Sequence, residues 1–259
     1  MKQTYSFQQL RVAQWLLGGL LLAVASCKNE TEVLPDQGPE YYPMEVGAYR
    51  IYAVADTSWR NNVPTVSRFQ FREQVAAELS PDATGQPVYR VIRSRRATAT
   101  DSWAADSVLT VTVAKSFVTE QLGNRRTVVM VFPALQGKNW DSNAFNTLNG
   151  PLDSARQANR DYQVRNRYYA QTGAALSLQR DGRSYAYDNT VTTFNDLTAA
   201  NGVNICGTTV LRTTFAKGIG PVYRVRRRYS HDSGTLAGCN PSFIYLGQSR
   251  SEVLIESGK

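Results

Sequence analysis

"TTVLRTTFAKGIGPVYRVRRRYS", residues 208–230, reads as two β-strands joined by a tight turn. The first run is rich in Thr, Val and Phe, and the second alternates Val and Tyr with Arg. β-Branched and aromatic residues of this kind suit a pleated, half-buried surface. Between them "AKGIG" supplies Gly218 and Gly220, which accept the positive φ of a short connection. Successive side chains on a strand point to opposite faces. One face of the second strand therefore carries Val222, Arg224, Arg226 and Arg228; the other carries Tyr223, Val225, Arg227 and Tyr229. Arg224, Arg226 and Arg228 form a candidate face for an anionic ligand such as an acidic glycan or a lipid phosphate. The plainer alternative is a solvated strand face.

The pattern repeats along the chain. "GAYRIYAVADTSW" (47–59) and "VSRFQFREQVAAEL" (66–79) flank the turn "RNNVP", and "PVYRVIRSRR" (87–96) follows "PDATGQ". "DSVLTVTVAKSFVTEQL" and "RRTVVMVF" flank Gly123-Asn124, a hairpin signal. "FIYLGQSRSEVLIES" closes the series as one strand or two. Only "PLDSARQANRDY" (151–162) has any helical character. The expectation is an all-β antiparallel domain of about ten strands, either a β-sandwich or a strongly curved sheet forming a partial barrel.

Ahead of this domain stands "MKQTYSFQQLRVAQWLLGGLLLAVAS", whose only charges are Lys2 and Arg11. Residues 15–25 are apolar or glycine. As a helix that run spans roughly 16 Å against about 30 Å of hydrocarbon, too short for a permanent span. A basic start, a short apolar middle and small residues at its end have the plan of a cleaved export signal. Val24-Ala25-Ser26-Cys27 resembles the bacterial lipobox. That resemblance implies that Cys27 is acylated and becomes the first residue, with a diacylglycerol and an amide-linked chain such as palmitate. Two or more chains hold firmly where one is marginal. The following "KNETE" resembles the start of surface-exposed lipoproteins of the Bacteroidota, which implies the outer membrane. The face is expected to be outward, with the periplasmic side as the alternative. Residues 27–40 carry four carboxylates and little aliphatic content, and are expected to form a flexible tether. The β domain is expected from 41 to 259.

From residue 41 onward, 26 Lys and Arg stand against 17 Asp and Glu, and the whole chain has 23 Arg to only 6 Lys. Arginine excess suits recognition of phosphate or carboxylate, though GC-rich coding produces it too. Nucleic acid is not an expected partner for an exported lipoprotein. The expected partners are the membrane, through Cys27, and an envelope glycan, lipid or protein, with the chain a monomer. Export exposes thiols to oxidising conditions, so Cys206 and Cys239 are expected to pair as a disulfide; a catalytic or metal-binding thiol is the alternative.

Motifs for chemistry are scarce. The single histidine, His231, excludes multi-histidine zinc sites. Ser230-His231-Asp232 spells a triad, but neighbouring strand residues face opposite ways, and triads are assembled from distant positions. No G-x-S-x-G elbow, G-x-G-x-x-G or Walker loop occurs. "NWDSNAFNTLNG" (139–150) offers Asp141, Asn143 and Asn146 as oxygen donors, yet Phe145 stands where an EF-hand requires Asp or Asn. Turn-forming side-chain bonds explain those residues better. No cofactor, metal or catalytic residue is expected.

"YYPMEVGAYRIYAV", "VFPALQGKNWDSNAFNT", "YDNTVTTF" and "FAKGIGPVYR" follow one another in an order similar to a group of uncharacterised Bacteroidota lipoproteins. The resemblance spans residues 41 to 229 and implies anchorage, but carries no assigned activity or site. The expected function is non-enzymatic binding at the outer membrane. A periplasmic carrier of hydrophobic ligands or envelope-maintenance protein is the alternative, and an exported hydrolase the third.

Overall fold

The computed structural model describes residues 38–146, 166–195, 207–231, 240 and 242–259. One compact unit comprises Asp36–Lys259; the other, Met1–Pro35, lies outside the described residues. The described chain forms β1 (Tyr49–Arg60), β2 (Val63–Leu79), β3 (Val88–Arg96), β4 (Ala104–Val113), β5 (Phe117–Leu122) and β6 (Arg125–Val131). It continues with β7 (Asn139–Asp141), β8 (Asn166–Arg180), β9 (Arg183–Asn195), β10 (Gly207–Ala216), β11 (Gly220–Ser230) and β12 (Leu246–Gly258). A 3-10 turn, Pro39–Tyr41, precedes them.

All twelve strands lie in one sheet, ordered β6-β5-β4-β3-β2-β1-β12-β11-β10-β9-β8-β7. Two meanders of six strands are thus joined where β1 runs antiparallel to β12, from Tyr49↔Gly258 to Arg60↔Leu246. The sheet curls into a nearly closed barrel, so the curved-sheet expectation stands and the sandwich does not. Twelve strands replace the expected ten because β7, β8 and β9 had no clear signal, and because residues 114–116 divide what reads as one long strand into β4 and β5. The C-terminal run is a single strand.

Turn chemistry sets the hairpins. Asn61 and Asn62 hold φ of 49° and 64°, the doubly left-handed pair that matches strand twist in a two-residue loop. Gly218 and Gly220 hold φ of 75° and 99° between β10 and β11. Gly220 has a second reason to lack a side chain: a Cβ there would lie 2.8 Å from the Arg50 guanidinium. That buried guanidinium donates to the carbonyls of Ile219 and Pro43, both at 2.7 Å, pinning the hairpin to the N-terminal segment.

The two sheet edges meet along a seam stitched mainly by side chains. Val128 N–H of β6 donates to the Ser142 carbonyl (2.9 Å), and Trp140 Nε1 of β7 donates to the Val128 carbonyl (3.0 Å). Asn146 imitates a strand: its Oδ1 accepts from Arg126 N–H (3.0 Å) and its Nδ2 donates to the Arg126 carbonyl (2.7 Å). The Tyr169 hydroxyl donates to the Val131 carbonyl (2.8 Å) and accepts from Val131 N–H (3.2 Å). Unpaired edges invite association with other chains, and these contacts cover them. Replacing Tyr169 with Phe leaves both Val131 groups without that partner. Tyr169→Phe should therefore lower stability by about 2 kcal/mol in urea titrations.

Alternation puts the apolar side inward. On β2, Phe69, Phe71, Glu73 and Val75 are buried, while Arg68, Gln70 and Arg72 alternate with them on the outer side. A lipid-spanning barrel has the reverse pattern. One interior cluster joins Tyr41, Tyr42, Val75, Val118, Met130 and Tyr169 at the end capped by the 3-10 turn. A second joins Tyr52, Val54, Phe69, Phe71, Val222 and Leu254. Gly38 lies so close to the Phe132 ring that a Cβ there would clash with it, which seats this residue in the folded unit ahead of position 41.

Candidate functional site

Beside these clusters the barrel keeps a cavity of about 370 Å³. Its walls are unusual in being rich in arginine. Strand alternation explains how they arrive. On β11 the face that begins with buried Val222 continues with Arg224, Arg226 and Arg228, so this row lies on the inner wall. Along this row Arg224 and Arg228 are half-buried and Arg226 is exposed. Opposite them on β12 stand Glu252 beside Arg224, and Arg250 beside Arg226. Arg93 enters from β3, Arg125 from β6 and Arg167 from β8. Leu109, Leu122, Val129, Leu211 and Phe215 make the apolar part of the wall. Arg212 also borders the cavity but alternates to the face opposite Thr213 and Leu211.

The charges sort into two groups. At the floor, Glu73 is 5% exposed and is gripped from two strands. Arg224 donates to both of its oxygens, at 2.9 and 3.1 Å, and Arg93 donates to Oε1 through Nε at 3.2 Å and through Nη2. Arg224 also donates to Glu252 at 3.1 Å and lies over the Tyr52 ring, 4.8 Å from its centroid. Burial alone would push the Glu73 carboxyl up, but Arg224 and Arg93 together outweigh it and hold it well below the usual carboxylate range. Arg250 is matched by Asp56 in the same way, at 2.6 Å.

The second group centres on Arg167. Arg167 is 9% exposed, and its Nε is buried without a hydrogen-bond partner. Burial pushes its pKa down to about 10; the Glu120 carboxylate acts against this and Arg125 with it. Glu120 is itself engaged, accepting from the Tyr42 hydroxyl at 2.6 Å. Arg228 on β11 and the exposed Arg125 and Arg226 also line this part of the cavity. The cavity reaches solvent past Arg226, which is exposed. A concave site of this size, with convergent cationic forks and a partly apolar wall, suits a small anion.

Buried Asn195 shapes the wall near Arg167. Pairing between β9 and β10 runs from Ala216↔Thr190 only to Arg212↔Phe194. Beyond it the Asn195 side chain takes over, accepting from Leu211 N–H (2.7 Å) and donating to the Thr209 carbonyl (2.9 Å). The substitution lets β10 part from β9 next to Asn195, the register partner of Arg167 on β8.

Other sequence-singled residues lie apart from chemistry. His231 is buried, with Nδ1 3.0 Å from the Phe243 carbonyl and Nε2 3.1 Å from Thr208 Oγ1. A carbonyl only accepts, so Nδ1 donates and Nε2 accepts from the hydroxyl. The ring ties β11 to β10 and the segment ahead of β12. In the 139–150 loop, Asp141 accepts from Asn143 N–H at 2.8 Å, and Asn146 serves the seam. Trp140 packs on Tyr169 at 4.9 Å, but Phe145 is 47% exposed and lies against Phe117 and under Arg126. Among the described residues no cluster of His, Cys, Asp or Glu is arranged to hold a metal ion. Cys27, Cys206, Cys239 and residues 147–165 lie outside the described residues.

No family model matches this chain, and no curated protein matches it. Among solved structures it is similar to one from Parabacteroides distasonis described as a "putative lipoprotein". The two share 7% identity and a TM-score of 0.36 over 84% of this chain and 98% of the other. A likeness that slight carries neither fold nor function across.

Proposed function

We propose that this chain is a cell-envelope lipoprotein, anchored in the outer membrane through acyl chains on Cys27, whose barrel binds a small anion without altering it. The observation that carries the reading is Arg167: a buried guanidinium with an unpartnered Nε, on the wall of an arginine-rich cavity. A carrier of acyl chains needs an apolar cavity, and these walls carry Arg93, Arg167, Arg224, Arg228 and Arg250. A hydrolase needs an available base. Arginine does not serve as one, and the Glu120 and Glu252 carboxylates are taken by Tyr42 and Arg224.

Anchorage is tested by fractionation: Cys27→Ala should release the chain from the membrane pellet, and continued sedimentation would argue against acylation. Binding is tested by thermal unfolding of the full chain in neutral detergent, with sodium sulfate or sodium chloride at matched ionic strength. Sulfate stabilises proteins generally by exclusion from their surfaces, so Arg167→Met serves as the reference. Wild type should gain several degrees more from sulfate than the variant; equal gains would remove the anion site.

A further inference from the structure

Most of the cavity's charges are spent on one another. Glu73 and Glu252 hold Arg93 and Arg224, Asp56 holds Arg250, and Arg125, Arg226 and Arg228 each have an interaction partner. Two opposite charges stand apart from this pairing. Arg167 is buried and lines the cavity, and no acceptor meets its Nε. Glu120 lines it too; the Tyr42 hydroxyl holds its Oε1 at 2.6 Å, and among the described residues nothing donates to Oε2. Arg167 feels the Glu120 charge, yet among the described residues no ion pair or hydrogen bond joins the two. They reach the cavity from β8 and β5, on either side of the seam. A cation and an anion held apart in this way complement a ligand that carries both charges on one small head. Guanidinium forks match a carboxylate, and an ammonium brings three donors and no acceptor to a carboxylate such as Glu120. Leu109, Leu211 and Phe215 supply an apolar wall beside them. About 370 Å³ sits at the small end of ligand cavities and admits a body of metabolite size.

We infer that the cavity takes an α-amino acid with an apolar side chain, its carboxylate on Arg167, its ammonium on Glu120 and its side chain against Leu109, Leu211 and Phe215. This rests on Arg167 being an anion anchor, as proposed above, and identifies that anion as one end of a zwitterion. Such a ligand brings no net charge, so none of the paired arginines has to give up its partner. Each end of the ligand is selected separately. An acid without the ammonium would cover the Glu120 carboxylate and give it no donor; an amine without the carboxylate would leave Arg167 as it stands. Tyr42 fixes Glu120 and the barrel fixes Arg167 before the ligand arrives, so little ordering is required on binding.

The test is isothermal titration of the full chain in neutral detergent at neutral pH with three probes: L-leucine, isocaproate, which is leucine without its ammonium, and isopentylamine, which is leucine without its carboxylate. Leucine should bind at least tenfold more tightly than either of the others, and Arg167→Met should weaken it at least tenfold. Isocaproate binding as tightly as leucine would overturn the ammonium contact while leaving an anion site. Isopentylamine binding as tightly would overturn the carboxylate contact and with it the role of Arg167. Failure of all three probes to bind would overturn this inference, and the sulfate measurement above decides separately whether the anion site falls with it. A Glu120→Gln variant adds an independent check. Its amide oxygen still accepts from Tyr42, but it should lose the preference for leucine over isocaproate; a preference that persisted would place the ammonium elsewhere.

Discussion

Glu73→Gln should lower the free energy of unfolding by about 3–5 kcal/mol and the thermal midpoint by roughly 10 °C. Glu73 is the common acceptor for Arg224 and Arg93, and Glu252 alone would remain to face the two guanidiniums. A neutral amide keeps the shape but offers one acceptor oxygen and two unwanted donors. Breaking a buried pair from one side costs far more than the pair's net worth, because the stranded charge stays dehydrated. The same residue predicts an acid limb. Its folded-state pKa lies below that of the unfolded chain, so between the two values the unfolded chain binds more protons. The stability it contributes is complete above about pH 4.3 and is lost as pH falls toward the folded value. Wild type should weaken on that limb, and the Gln variant should show a flatter profile there. Chemical denaturation at stepped pH measures both, and parallel profiles for the two proteins would contradict the role given to Glu73.

Arg167→Met should do the opposite. The fold pushes the Arg167 pKa from its ordinary value down to about 10 through burial. Keeping that side chain charged at neutral pH therefore disfavours the native state by about 3 kcal/mol. Below pH 10 the penalty is fully present; it is relieved only as pH climbs from there toward the unfolded value. Methionine has similar length and no charge, so the ligand-free variant should be more stable by up to about 3 kcal/mol, visible as a rise in urea midpoint. Its capacity for anions should fall together with that gain. A protein that becomes sturdier as it becomes blind to its ligand has a residue kept for binding at the expense of stability. A destabilised variant would instead assign Arg167 a structural partner.

How much of this was legible from residues alone differs by region. Hairpins built on local chemistry were: Asn61-Asn62, Gly123-Asn124 and "AKGIG" sit at turns because few other residues accept those backbone angles. The hairpin β8–β9 was not, although Asp181-Gly182 is a turn pair. Its register shifts three times, between Tyr169 and Gln171, Thr172 and Ala174, and Ala174 and Leu176. Each shift offsets the period-two pattern on which strand recognition depends. The row Arg224, Arg226 and Arg228 was legible as one face of a strand. Its direction was not, because Val222 lies on one side and Val225 on the other, giving no apolar asymmetry. Arg167 was invisible. A buried charge differs from a solvated one only in its neighbours, and these come from strands far away in sequence.

The pairing of β1 with β12 has a consequence for how the molecule comes into being. Tyr49 is aligned with Gly258, so the middle of the sheet is completed by the most C-terminal strand of the twelve. The floor of the cavity has the same dependence, since Glu73 lies on β2 while Arg224 and Glu252 lie on β11 and β12. Until the halves meet, Glu73 has only Arg93 and Arg224 has only Glu252. Contacts this distant in sequence form late and slowly, because a long loop must close before they reward it. A chain that stays loose until β12 appears remains threadable, which is what the export proposed above would require.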